Sequence, residues 1–130
     1  MLTQTTAQQF ARDWIHSWNS HDLDAILSHY APTVTLTSPV VAQLLNQPSG
    51  TLEGIDAIRN YFSRGLAAFP QLRLELHDVL FGLSSIVLYY TNHKGTKTAE
   101  FMELDSNRKV TRVVANYSAE PKSKESGTTS

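Results

Sequence analysis

Residues 54–81 read GIDAIRNYFSRGLAAFPQLRLELHDVLF, and the fold turns on a change of rhythm inside them. Up to Phe69 the apolar residues Ile55, Ile58, Phe62, Leu66 and Phe69 recur every three or four positions. That spacing lays one apolar stripe along a helix. Pro70 lacks a backbone N–H and stops it. Beyond it Leu72, Leu74, Leu76 and Leu80 alternate with Arg73, Glu75, His77 and Val79, the period of a strand. Asp78 falls in register with the leucines, so it is either a buried acid or, as expected here, turned to solvent near Gly82 by a bulge. A helical first half therefore gives way here to a stranded second half.

Upstream, Ala7 to Asn19 carries Phe10, Ala11, Trp14, Ile15 and Trp18 on one stripe, which predicts a first helix. Asn19-Ser20-His21 breaks it. Ser20 or Asp22 then caps a shorter helix with Leu23, Ile26, Leu27 and Tyr30 on one face, ended by Pro32. Thr33 to Ser38 alternates as a strand, stopped by Pro39, and Val40 to Gly50 reads as a covering loop. Downstream, Ser85–His93 and Thr96–Leu104 form a hairpin about the Lys94-Gly95 turn, and Val110–Ser118 closes the set.

Three helices gathered before a run of hairpins predict an α+β domain over residues 1–118. Its curved antiparallel sheet would wrap the helices as a cone and leave a pocket between the layers. Residues 119–130 carry no large apolar side chain and are expected to be a disordered tail.

Composition narrows the function classes. The 130 residues are one domain's worth, long enough to bury about two-thirds of the unfolded surface. The absence of cysteine excludes disulfides, thiolate metal sites and a thiol nucleophile. Eleven basic against twelve acidic residues leave no basic footprint for nucleic acid. No apolar run approaches a membrane span and no secretory signal opens the chain, so a cytoplasmic protein is expected. The five histidines form no HxxxH or HxH spacing, so neither a metal nor a cofactor is called for, and they read as solvated.

Several strings carry a resemblance. Trp18-Asn19-Ser20-His21-Asp22-Leu23-Asp24 is followed by Tyr30-Ala31-Pro32 before a strand. Then come Gly54-Ile55-Asp56-Ala57-Ile58-Arg59-Asn60-Tyr61-Phe62 and a terminal hairpin ending Lys109-Val110. In this order and spacing, over roughly residues 7–118, the chain resembles the SnoaL-like branch of the nuclear transport factor 2-like superfamily. That superfamily includes ketosteroid isomerase, polyketide cyclases and limonene-epoxide hydrolase. The resemblance implies a cystatin-like, ketosteroid isomerase-like cone, and one such fold hosts many functions.

The isomerase chemistry of that family uses an Asp base, a Tyr donor and a protonated Asp donor around an apolar cavity. At the matching positions this chain has Ser38, Trp14 and Glu100. Alternation sets Thr98, Glu100, Met102 and Leu104 on one face, and the last two point that face inward. A carboxyl there would have a raised pKa and suit an acid or hydrogen-bond donor, unless it reached water or paired with Arg112. The resemblance also implies a pocket wall of Trp14, Tyr30, Phe62 and Tyr117, and Ser38 and the inward-facing Met102 are expected to join it. The expected function is binding of a small apolar or aromatic molecule, with isomerase, cyclase or hydrolase chemistry resting on Glu100. The alternative is a non-catalytic ligand-binding or dimeric interaction module. Val87, Tyr89 and Val113 or Val114, read onto a second face, are expected to join two chains as a homodimer.

Overall fold

A computed structural model describes residues 2–121. The elements run α1 (Gln4–Asn19), α2 (Leu23–Leu27), β1 (Tyr30–Thr37), α3 (Pro39–Leu44), β2 (Thr51–Glu53), α4 (Ile55–Ala68), β3 (Glu75–Phe81), β4 (Ser85–Thr91), β5 (Lys97–Leu104) and β6 (Val110–Tyr117). The strands make one six-stranded sheet in the order β2-β1-β6-β5-β4-β3, and the helices pack on its concave face. The tail expected from residue 119 lies, beyond 121, outside the described residues. No helix among the described residues is long and apolar enough to cross a membrane.

Local chemistry sets the boundaries. Thr3 and Thr6 cap α1 reciprocally, so it starts at Gln4, three residues before the expected Ala7. Asp22 caps α2, its Oδ1 accepting from the Ala25 N–H at 3.1 Å. Ile58, on the stripe of α4, is fully buried, while Asp56 and Arg59 face away.

Several expectations need correction. The sheet is not wholly antiparallel: β1 pairs with β6 in parallel, because the chain leaves β1 and returns beside it only after every other strand. The 40–50 stretch is not all loop, and among the described residues the helices number four rather than three. Ser38 caps α3, with Pro39 in its first turn, where a missing N–H is harmless. Leu72 and Leu74 are buried but precede β3. Their backbone bonds to side chains from the end of α1 instead. Asn19 Nδ2 donates to the Leu74 carbonyl at 3.0 Å and Asn19 Oδ1 accepts from the Leu74 N–H at 2.7 Å. His21 Nε2 donates to the Leu72 carbonyl at 2.7 Å, so this histidine is not simply solvated. Asp78 behaves as read: the β3–β4 register shifts between Leu76 and Asp78, and Asp78 is exposed.

Gly50 closes the turn between α3 and β2. Its φ is +64°, and a Cβ there would lie 2.9 Å from the Ser38 carbonyl oxygen. The Gly50 carbonyl in turn accepts from the Ser38 N–H at 2.9 Å. A left-handed, close-packed position of this kind favours glycine, and it holds Ser38 against the sheet.

Candidate functional site

Between the helices and the concave sheet lies a cavity of about 170 Å³. Its inner wall comes from Trp14 and Trp18 of α1, Tyr30 of β1, Phe62 of α4, Tyr90 of β4 and Glu100 of β5. Its rim is formed by Leu44, Arg64, Gly65, Ala68 and His93, of which Arg64 and Ala68 are exposed. The wall is chiefly aromatic because stripe positions of α1 and α4 meet inward positions of three strands. Trp18 meets Phe62 edge-on at 4.9 Å between centroids, Phe62 meets Tyr30 at 5.7 Å, and Trp14 meets Tyr90 at 5.6 Å. These edge and tilted contacts fix the side chains that carry polar atoms.

Glu100 is the one carboxylate among the lining residues. Its Oε1 accepts from the Tyr90 hydroxyl at 2.8 Å. The two residues are diagonal across the β4–β5 pair, since Leu88 stands opposite Glu100 and Tyr90 opposite Thr98. Among the described residues no cation is paired with the carboxyl. Arg112 bonds Glu103 at 2.9 Å on the outer side of the sheet. Burial therefore pushes the Glu100 carboxyl up to about 7, against a smaller opposing effect of the Tyr90 hydrogen bond. Glu100 is half-buried and lines the cavity.

A second polar group faces the same space. The Tyr30 oxygen accepts from the Trp14 indole N–H at 3.0 Å. Its own proton finds no acceptor among the described residues. Burial, and then the neighbouring Glu100 charge, hold the phenol well above its ordinary pKa, so it remains a neutral donor. The Trp18 indole N–H, also buried, has no hydrogen-bond partner among the described residues. Ser38 is committed differently. Its Oγ accepts from the Val40 N–H at 3.1 Å and lies 3.4 Å from the Tyr117 hydroxyl. It is a helix cap in the cavity wall, with no histidine or carboxylate hydrogen-bonded to it to make it a base.

Of the residues named from sequence, Glu100, Trp14, Tyr30, Ser38, Phe62 and Tyr117 all line the cavity. Met102 does not: it is fully buried, packed in the core beyond the lining residues. Val113, read as a candidate for the outer face, points inward and lines the cavity, while Val114 takes the outer position. Tyr90, Trp18, Arg64 and Asn92 were not foreseen. Tyr90 shares the inward alternation of Ile86 and Leu88, and that signal with the hairpin register would have found it. No cluster of three or more metal-ligating side chains occurs among the described residues.

The SnoaL-like domain model matches residues 11–117. A SnoaL-like protein of unknown function from Burkholderia thailandensis superposes with a TM-score of 0.88 at 39% identity, covering 90% of this chain and 98% of that one. More remote structures share the fold. A cystatin-like protein of unknown function from Methylobium petroleophilum has a TM-score of 0.72 at 13% identity, covering 93% and 81% of the two chains. A protein with the ketosteroid isomerase-like fold from Catenulispora acidiphila, in complex with trimethylamine, has a TM-score of 0.68 at 16% identity, covering 87% and 88%. No curated protein matches the sequence.

Proposed function

The chain belongs to the SnoaL-like domain family, and within it we propose that the cavity binds a small, ring-sized apolar or aromatic molecule through an oxygen that faces Glu100. The observation that carries this reading is an acid in an aromatic wall, held by Tyr90 and, among the described residues, by no cation. A cavity near 170 Å³ is close in size to one known to accept a single benzene ring, which favours monocyclic ligands over steroids. With a pKa about 7, both forms of Glu100 are populated at neutral pH. The neutral acid donates a hydrogen bond to a ligand carbonyl. The carboxylate accepts a proton and, as an acid, returns it. The uncommitted Tyr30 hydroxyl supplies a second donor for charge developing on that oxygen.

A second reading has its own support. Ser38 stands where the isomerases of the family place a base, and its hydroxyl is spent on capping α3. A cavity with a single carboxylate also suits binding without turnover. We further propose that two chains associate through the outer face of the sheet, where the cross-strand row Leu80, Val87, Phe101 and Val114 is apolar.

The test uses the full chain and a ring ketone such as cyclohexanone in deuterated water. NMR titration reads binding, and loss of the α-hydrogen signal reads proton transfer. An enzyme should accelerate exchange, and Glu100→Gln should abolish the acceleration while the ketone still binds. Binding with no exchange in the wild type selects the module reading. Failure of ring ketones to bind at all would remove both.

A further inference from the structure

Two donors that line the cavity, Arg64 and Asn92, are not used by the inner site. Arg64, on α4, lines the cavity yet is exposed, and it makes no hydrogen bond or ion pair among the described residues. Its neighbours one helical turn away are Asn60 and Ala68, so α4 offers it no carboxylate. Asn92, at the end of the β4–β5 hairpin, is only 8% exposed. Its Oδ1 accepts from the Lys94 N–H at 3.0 Å and the Thr96 N–H at 2.9 Å, which fixes the amide orientation. The Asn92 Nδ2 therefore has no protein acceptor among the described residues, although the side chain lines the cavity. A nearly buried amide whose N–H groups have no protein acceptor is expected to find one in water or in a ligand. Beside it His93 stacks on Phe69 at 4.3 Å, with the Lys94 ammonium 5.5 Å from that ring.

The cavity is thus lined by an acid, Glu100, and by two uncommitted donors, the exposed Arg64 guanidinium and the buried Asn92 amide. We infer that its ligand is a small ring compound bearing a carboxylate, the ring inside and the carboxylate held by Arg64 and Asn92. The inference rests on the proposed binding function and names its ligand class. Orientation follows from Glu100. A ligand carboxylate placed beside it would bring two acids together in a poorly solvated space, so the anion belongs with the two donors. A monoanion fits better than a phosphate dianion. The rim is built on the C-terminal half of α4, whose dipole end repels negative charge, and Arg64 is the sole guanidinium lining the cavity. The planar fork of arginine matches a carboxylate in two parallel hydrogen bonds.

The experiment compares 4-acetylbenzoate with its neutral amide, 4-acetylbenzamide, titrated calorimetrically into the full chain and into Arg64→Gln. Arg64 is exposed, so the variant should fold as the wild type does. The acid is expected to bind the wild type roughly tenfold more tightly than the amide, with that advantage shrinking as salt is added. Arg64→Gln should bring the two ligands within about twofold of each other by weakening the acid alone. Equal wild-type affinities, or an acid preference that survives Arg64→Gln, would overturn the inference while amide binding keeps the function above intact. If neither ligand binds, both fall.

Discussion

Glu100 sits where its own charge is disfavoured, and the consequence is measurable without knowing any ligand. In the folded protein its pKa is about 7, against an ordinary 4.5. Between those values the native chain holds a proton that the unfolded chain has released. Stability therefore falls as pH rises from about 4.5 to about 7, and stays lowered above that. A rise of this size corresponds to at most about 3 kcal/mol, reduced by any water that enters the cavity. Glu100→Gln keeps an acceptor for Tyr90 and removes the charge. It should match the wild type at pH 5 and exceed it at pH 8 by roughly 1–3 kcal/mol, read from thermal or denaturant melts. Burial also lowers the His29 pKa, but that titration is common to both proteins and cancels in the difference. An equal stability difference at both pH values would mean the carboxyl is simply in water. The inward placement of Glu100 was legible from its alternation with Met102 and Leu104. Its partner Tyr90 was not, because that contact depends on hairpin register rather than on either strand alone.

At the level of elements, α4 and its stop at Pro70 were legible because fourteen residues give the helical period time to declare itself. The six-residue α3 and three-residue β2 are too short for any period, and only the Ser38-Pro39 capping pair hinted at them. The parallel β1–β6 pairing is non-local and leaves no mark in either strand. Within α4, Gly65 stands out. It lies in the helix interior, on the cavity rim, and a Cβ built there meets nothing within 4 Å. Glycine costs a helix interior about 1 kcal/mol relative to alanine. Gly65→Ala should therefore raise the melting temperature by a few degrees, since each kcal/mol moves a domain of this size by roughly 2–6 °C. Gly65→Leu should also fold, yet its side chain would extend over the rim and weaken binding of a ring ketone in the same NMR titration. Unchanged binding by Gly65→Leu would mean that ligands do not pass this side of α4.

Across the whole molecule the two faces of the sheet are unlike, and among the described residues only one is covered by the chain itself. The concave face is closed by the helices. On the convex face, strand pairing sets Leu80 opposite Val87, Val87 opposite Phe101 and Phe101 opposite Val114, an unbroken apolar row over four strands. Tyr89 and Ala99 stand beside it in the next row. Leu80 is 54% exposed, and Val87, Phe101 and Val114 are only partly buried. The sequence hinted at this face through Val87 and Tyr89. It missed Phe101, which the inward reading of its neighbours should have turned outward, and it left Val113 and Val114 unresolved because β6 shifts register near Arg112. A self-complementary apolar band suits a two-fold contact, in which the same row meets its copy. The Arg112–Glu103 pair borders the row and would form part of its polar edge. The full chain should therefore run as a dimer in light scattering at micromolar concentration. Phe101→Glu should shift it to monomer, because each copy would then set an unpaired carboxylate into the centre of the contact. The fold should survive the change, since Phe101 is outside the core. A wild-type mass of one chain, or a Phe101→Glu variant that stays dimeric, would show that this face does not join two copies.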